Sequence, residues 1–406
     1  MRIKNLFFLA ALAVSATATL TSCEDILGTW DRPTPAAVTP TASVAVTGIT
    51  LSETTLNKKV GDAAVTLTAT IAPDNASDKT LTWSSDNTAA ATVADGVVTI
   101  VGTGTALITA TAKDGSGVEA TCTVNVGLLA GKFSVDNGKQ VQFSQGNLQF
   151  QASTKTWRFA EHQYDYVGDD TKGNVLVEST KSNNASISDT YTGWIDLFGW
   201  GTSGHKYDSG YGSDYQPWST STTDTNYGPN GTDNGLYDSF AQGDWGTNMG
   251  TGWRTLKSDE WTYLFNTRET GGTVFGTEKA RYAHATINTD GTGVNGIILF
   301  PDGVDIASSE VTTAGTVNNT SDFATKCTSA QWTALEAKGC VFLPAAGFRF
   351  GTSVYTDGRG LYWSSSPDGS NANNAYLMVF GSGSLNPATN FNRSYAFSVR
   401  LVRPVE

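Results

Sequence analysis

The hydrophobic positions of this chain repeat mostly with the period of a strand. In "ATCTVNV", Ala120, Cys122, Val124 and Val126 fall on one side, while Thr121, Thr123 and Asn125 fall on the other. β-Branched runs such as Ala64–Ile71 and Leu81–Ser85 recur between Val44 and Val126, broken by Gly, Asp and Asn. This length and pattern predict a β-sandwich over residues 44–127.

After "GLLAGKF" the texture becomes glycine- and aromatic-rich, and two segments carry helical signals. In "SDEWTYLFNTR", Ser258 is the expected N-cap, Lys257 having no capping oxygen, and Trp261, Leu264 and Phe265 share a face. In "TSAQWTALEAKG", Thr328 and Gln331 have capping-box spacing and Gly339 supplies the stop. The strand-like runs "CVFLPAAGFR", "LYWSSS", "YLMVF" and "FSVRLVR" follow, so the pattern predicts a multidomain chain: a β-sandwich, then an α+β domain over residues 128–406. In "YLMVF", Leu377 and Val379 alternate with Tyr376, Met378 and Phe380, which predicts one set facing the core and the other facing out.

Composition narrows the chemistry. A net charge of −12 argues against nucleic acid, which needs Lys and Arg in excess. Four cysteines and three histidines leave little for metal or thiol chemistry, so no cofactor is expected. A helix between Cys327 and Cys340 would hold them roughly 15 Å apart, beyond the roughly 4.4–6.8 Å of bridged Cα atoms, so free thiols are expected unless the chain doubles back. "GTGVNG" at 291–296 fits the dinucleotide fingerprint by letter, but a strand-like "IILF" follows where a helix is needed; a hairpin is expected. His162, His205 and His284 stand apart in structural roles, and Asp165, Asp169, Asp170, Asp196 and Asp214 are expected as solvated loop acids. Trp194, Trp200 and Trp218 could stack on sugars, core packing being their commoner use.

The first 22 residues read as a signal peptide: Arg2 and Lys4, an apolar run too short to span a bilayer, then small residues. "LTSC" resembles the lipobox of bacterial lipoproteins, which implies acylation of Cys23, and Glu24-Asp25 resembles the surface-export signal of Bacteroidetes-type lipoproteins. Residues 23–43 read as a Pro/Thr-rich tether. "LTWSSDNTAAATVADGVVTIVGTGTALITATAKDG" is similar to the bacterial Ig-like group 2 domain of invasin- and intimin-type surface proteins, which implies a spacer.

"VQFSQGNLQFQ", "WIDLFGWGTSG", "WRTLKSDEWTYLFNTR", "VFLPAAGFR", "YWSSS" and "FSVRLVR" resemble the bacterial major-paralogous-domain family, which shares the C-type-lectin-like fold with formylglycine-generating enzymes. The enzyme branch needs cysteines near its C-terminus and none follows Cys340, so the resemblance implies binding and no catalysis. Residues 362–403 also resemble variable proteins of diversity-generating retroelements, in which polar positions between fixed Tyr-Trp and Ser-Val-Arg-Leu-Val form the binding face. Tyr for contact area, with Ser, Gly and Asn for adaptable hydrogen bonds, is also paratope composition. The candidate ligand-binding residues are Ser364, Asp368, Asn371, Asn373, Asn374, Tyr376, Met378, Phe380, Ser382, Asn386, Asn390, Asn392, Arg393 and Tyr395.

The expected function is that of a lipid-anchored surface protein whose head binds a protein or glycan. A glycan hydrolase using loop carboxylates and a component of a surface or fimbrial assembly are the alternatives.

Overall fold

A computed structural model describes residues 43–166, 192–202, 204–206, 215–216, 236–237, 243–249, 252–289, 292–311, 317–320, 322–350, 353–356 and 358–405. The expected signal peptide, Cys23 and almost all of the tether lie outside the described residues, as do Asp169, Asp170, Asp214 and Trp218. Val44–Glu406 pack as one compact unit.

The first module is a two-layer β-structure. One sheet pairs Thr55–Lys58 in parallel with β2 (Glu119–Val126), then β1 (Gly104–Ala112), then Leu81–Ser85. The other joins Val65–Thr66, Val97–Ile100 and Ala91–Ala94. Cys122, Val124 and Val126 of β2 point into a core with Ile108, Ala110 and Val98, as the alternation predicts. Asp95 (φ 51°) and Gly96 (φ 81°) form the two-residue turn of one hairpin, both in the left-handed region that such a turn requires. A Cβ on Gly96 would lie 2.7 Å from the Leu67 carbonyl oxygen, so glycine is required there.

Gly127 (φ 84°) ends β2, and its N–H donates to the Lys58 carbonyl at 2.7 Å. Beyond it the chain is strand-rich, with few helices. A hairpin of β3 (Tyr282–Thr289) and β4 (Thr292–Leu299) runs in register from Tyr282↔Leu299 to Thr289↔Thr292. Residues 292–296 of the dinucleotide look-alike at 291–296 therefore lie in β4 next to a hairpin turn. Thr325–Thr328 and Val341–Pro344 flank the hairpin. Lys139–Phe143 pairs with the C-terminal strand Leu401–Pro404, so the two ends of this region close on each other.

Helix α1 (Ser258–Thr262) corrects the expected cap. The N-cap is Lys257 rather than Ser258; its backbone N–H donates to Glu260 Oε2 at 2.8 Å, the half of a capping box that needs no side-chain acceptor at the cap. Ser258 donates its own N–H to Ser366 Oγ at 3.0 Å. Helix α2 (Ser329–Ala337) has the full box: Thr328 Oγ1 accepts from Gln331 N at 3.2 Å, and Gln331 Oε1 accepts from Thr328 N at 2.9 Å. Gly339 (φ 88°) follows its end. Cys327 and Cys340 on either side of α2 are buried free thiols, and burial pushes Cys327 up to about 11.

The last sheet orders β5 (Gly360–Pro367), β6 (Asn374–Gly381) and β7 (Ser384–Asn392). It stands between two cores. One holds Trp363, Ala375, Leu377, Trp200 and Phe397; the other holds Tyr362, Met378, Phe380, Trp261 and Val402.

Candidate functional site

The register of the last sheet decides which predicted residues can meet a ligand. Tyr376 pairs with Asn390, and Asn374 with Asn392, which places these four on one face. Ala375 pairs with Phe391, Leu377 with Thr389 and Val379 with Asn386, placing those on the other. The register shifts between Leu377 and Val379, so β7 carries an extra residue opposite Met378. The predicted residues thus straddle both sides of one strand.

Five of them are buried away from solvent: Ser364, Asp368, Met378, Phe380 and Arg393. Met378 and Phe380 are fully buried in the second core, which corrects the expectation that Tyr376, Met378 and Phe380 face outward together. The reason is that β6 is covered on both sides along its C-terminal half, where a two-period pattern no longer separates inside from outside. Ser364 is buried, with its hydroxyl donating to the Tyr376 carbonyl at 2.7 Å. Arg393, expected as an anchor for a ligand carboxylate, is 2% exposed. Its guanidinium carbon sits 4.4 Å from the Trp200 ring centroid, and its Nε donates to the Asn374 carbonyl at 3.0 Å. Burial holds its pKa below the ordinary guanidinium range, with the Asp368 carboxylate opposing the shift.

Asp368 is buried within the loop that precedes β6. Its Oδ1 accepts from Ser370 N at 2.8 Å and Ser370 Oγ at 2.6 Å, and its Oδ2 accepts from Asn390 Nδ2 at 2.8 Å. These bonds favour the charged form and hold the carboxyl below the usual range, the Ser370 hydroxyl contributing most.

The asparagines have a turn-building chemistry that the sequence reading gave to a ligand. Asn371 Oδ1 accepts from Asn373 N, Asn386 Oδ1 from Ala388 N, and Asn392 Oδ1 from Ser394 N, each at 3.0–3.1 Å. Asn371, Asn386 and Asn390 are nonetheless exposed; Asn373, Asn374, Asn392 and Tyr376 are half-buried. Ser382 is exposed in the β6–β7 turn beside Gly383 (φ 72°).

A different surface emerges on the Phe391 side. Phe391 (42% exposed) meets Tyr395 edge-on at 4.6 Å; Tyr395 lies 6.2 Å from Phe348, which stacks on Tyr355 (41% exposed) at 4.9 Å. The Arg359 guanidinium covers Phe348 at 5.1 Å. Tyr395 alone of these was predicted. Phe391 was missed although its sequence signal was present: an aromatic next to Asn390 in a strand must face opposite to it. Phe348 and Tyr355 come from a separate hairpin, Phe348–Phe350 with Ser353–Tyr355, and only folding brings them here.

The carboxylates and histidines do not assemble a reaction centre among the described residues. Asp165 and Asp196 are buried, where solvated loop acids were expected; Asp165 Oδ2 accepts from His162 N at 3.0 Å. His284 lies in the second core's aromatic wall, stacked on Phe323 at 5.4 Å, and burial lowers its pKa to about 4. Among the described residues no three His, Cys, Asp or Glu side chains group as metal ligands would. Trp200 is buried, with its Nε1 donating to the Ser364 carbonyl at 2.7 Å.

Residues 45–124 match the bacterial Ig-like domain (group 2) family. The chain is similar to an uncharacterized protein of Clostridium acetobutylicum, 44% identical over 89 residues, 22% of this chain and 9% of that protein. It is similar to an alpha-L-arabinofuranosidase of Bifidobacterium longum subsp. longum, 46% identical over 89 residues, 21% of this chain and 8% of the enzyme. An Ig-like virion protein of Serratia phage KSP90 is 38% identical over 125 residues, 30% of this chain and 46% of the virion protein. The chain spans less than half the length of each of these relatives.

Proposed function

We propose that this protein is a lipid-anchored surface protein in which the Ig-like module carries a C-type-lectin-like head that binds a protein or glycan ligand without transforming it. The observation that carries the binding reading is the aromatic surface of Phe348, Tyr355, Phe391 and Tyr395, with the Arg359 guanidinium over Phe348 and the exposed Asn386 on the Phe391 side of β7. Aromatic rings held by one another lose little entropy on binding, and an amide on the same side supplies an adaptable hydrogen bond. The Ig-like match and the similarity to an Ig-like virion protein support display outside the cytoplasm. The lipobox at Cys23 supports the anchor, and the ordered head motifs support the lectin-like reading. Sequence variation of the retroelement kind would be tolerated at exposed Asn386, Asn390 and Phe391, and not at buried Ser364, Met378, Phe380 or Arg393.

The test is a glycan and host-protein array probed with the soluble chain and with a Phe391→Ala/Tyr395→Ala variant. Retention of a ligand by the parent and its loss in a folded variant supports the reading; equal retention by both overturns it. Incorporation of labelled fatty acid that disappears in Cys23→Ala tests the anchor separately.

A further inference from the structure

Among the described residues β7 is the outer strand of its sheet, paired with β6 alone. One bond shows which of its backbone groups face outward. Arg393 N–H donates to the Asn373 carbonyl at 2.9 Å beside the pair Asn374↔Asn392, so that pair is of the non-hydrogen-bonded kind. Alternation makes Tyr376↔Asn390 the same kind, and the N–H and C=O of Asn390 therefore point away from β6. The Tyr376 carbonyl turns the other way, toward β5, where it accepts from Ser364 Oγ. Asn390 is exposed.

This edge is undefended over its second half. Sheets blunt their edges with charge, proline or a bulge. In β7 the bulge opposite Met378 and Pro387 both fall within Asn386–Ala388. From Thr389 to Asn392 neither device recurs, and Ser384–Asn392 contains no charged residue in a chain of net charge −12. The Ala388 N–H is closed by Asn386 Oδ1 at 3.1 Å. Across the trans peptide the Ala388 carbonyl opposes the inward N–H of Thr389, so it faces outward with both backbone groups of Asn390. Phe391, 42% exposed, lies beside them with half-buried Thr389 on the same side of the strand.

We propose that the ligand of the Phe391 surface is an extended, uncharged polypeptide segment that adds to β7 as an antiparallel strand. The inference rests on Phe391 belonging to the binding surface, and it names the class of ligand held there. The ligand residue opposite Asn390 exchanges two main-chain hydrogen bonds with it, and the residue two positions on donates to the Ala388 carbonyl. The ligand residue before the first faces Phe391 across a close, non-hydrogen-bonded pair, where an aromatic or β-branched side chain packs on the ring. A neutral segment suits an edge without charge. A second copy of β7 fits less well: an antiparallel pair centred on Asn390 sets Pro387 against Arg393, which is 2% exposed.

The test is selection of a displayed library of random dodecapeptides on the full chain, followed by synthesis of the retained sequences. Apolar residues at alternate positions and an affinity unchanged by added salt are expected, since no ion pair is involved. N-methylation scanned along the peptide should abolish binding at every second residue and be tolerated between, because alternate N–H groups of an added strand point at β7. Amide exchange at Asn390 should slow in the complex. Asn390→Pro removes the outward donor and should weaken binding about tenfold or more; if that variant does not fold, the N-methyl scan on the parent decides alone. The proposal is overturned by no peptide retained above the bare display particle, by N-methyl sensitivity without a period of two, by unaltered exchange at Asn390, or by a dimer of the chain that Asn390→Pro dissolves. The Phe391→Ala/Tyr395→Ala variant separates the two readings. Peptides lost on it but indifferent to N-methylation leave the surface standing and remove strand addition, whereas peptides it retains remove both.

Discussion

Arg393 lies across Trp200, its guanidinium carbon 4.4 Å from the ring centroid, and from there it ties down the loop that leads into β6. Its Nε holds the Asn374 carbonyl and its backbone N–H donates to the Asn373 carbonyl at 2.9 Å. A desolvated cation–π contact is worth about 2 kcal/mol and the hydrogen bond from Nε adds about 1 kcal/mol, the Asn374 carbonyl keeping the bond it accepts from the Asp368 N–H at 3.1 Å. Arg393→Ala is therefore expected to lower the unfolding free energy by about 3 kcal/mol, read by urea titration. Arg393→Lys should recover only part of that, since a lysine keeps the charge and loses the planar fork.

Along β6, stability and exposure should separate residue by residue. Met378→Ala empties a fully buried position and is expected to cost about 2–5 kcal/mol. Tyr376→Ala, two residues away and half-buried, should cost much less. Equal losses in thermal or denaturant unfolding would contradict the placement of Met378 in the second core.

Acid should weaken the fold through His284. Its folded pKa of about 4 lies below the ordinary imidazole value of 6.5, because burial disfavours the charged ring while Asp322 only partly opposes this. The unfolded chain thus takes up the proton first as pH falls. The stabilisation is complete above about 6.5 and declines as pH drops from there toward 4, by ~1.4 kcal/mol per pH unit where only the unfolded state is protonated. His284→Phe, placed among Phe323 and Phe380, should flatten that part of the stability–pH curve relative to the parent. An unchanged slope would show that His284 is not its source.

At the proposed binding surface the expected signature is loss of ligand without loss of fold. Phe391→Ser should shift stability by no more than about 1 kcal/mol, as is usual for exposed positions, while reducing retention on the identified ligand about tenfold. Surface plasmon resonance with parallel thermal melts checks both halves of this expectation.

The alternation in β2 and the capping box at Thr328–Gln331 were legible because each involves neighbours in sequence and a periodicity set by backbone geometry. The cap of α1 was misplaced by one residue, since a serine's propensity says nothing about Ser366 Oγ, which claims the Ser258 N–H from 108 residues away. The asparagine-rich tail was legible as surface only in part. Asn371, Asn386 and Asn392 look alike whether they wait for a ligand or close a turn, and here their oxygens close turns.

By itself the sequence determined the strand-rich modular plan, the Ig-like module and the absence of any basic excess for nucleic acid. These follow from local periodicity, side-chain geometry and composition. Tertiary structure alone decided that Met378 and Phe380 go inward, that Arg393 braces Trp200, and that Phe348 and Tyr355 join Phe391. A strand packed on two cores loses the inside–outside contrast that periodicity reports, and contacts between distant segments leave no mark on the spacing of either one.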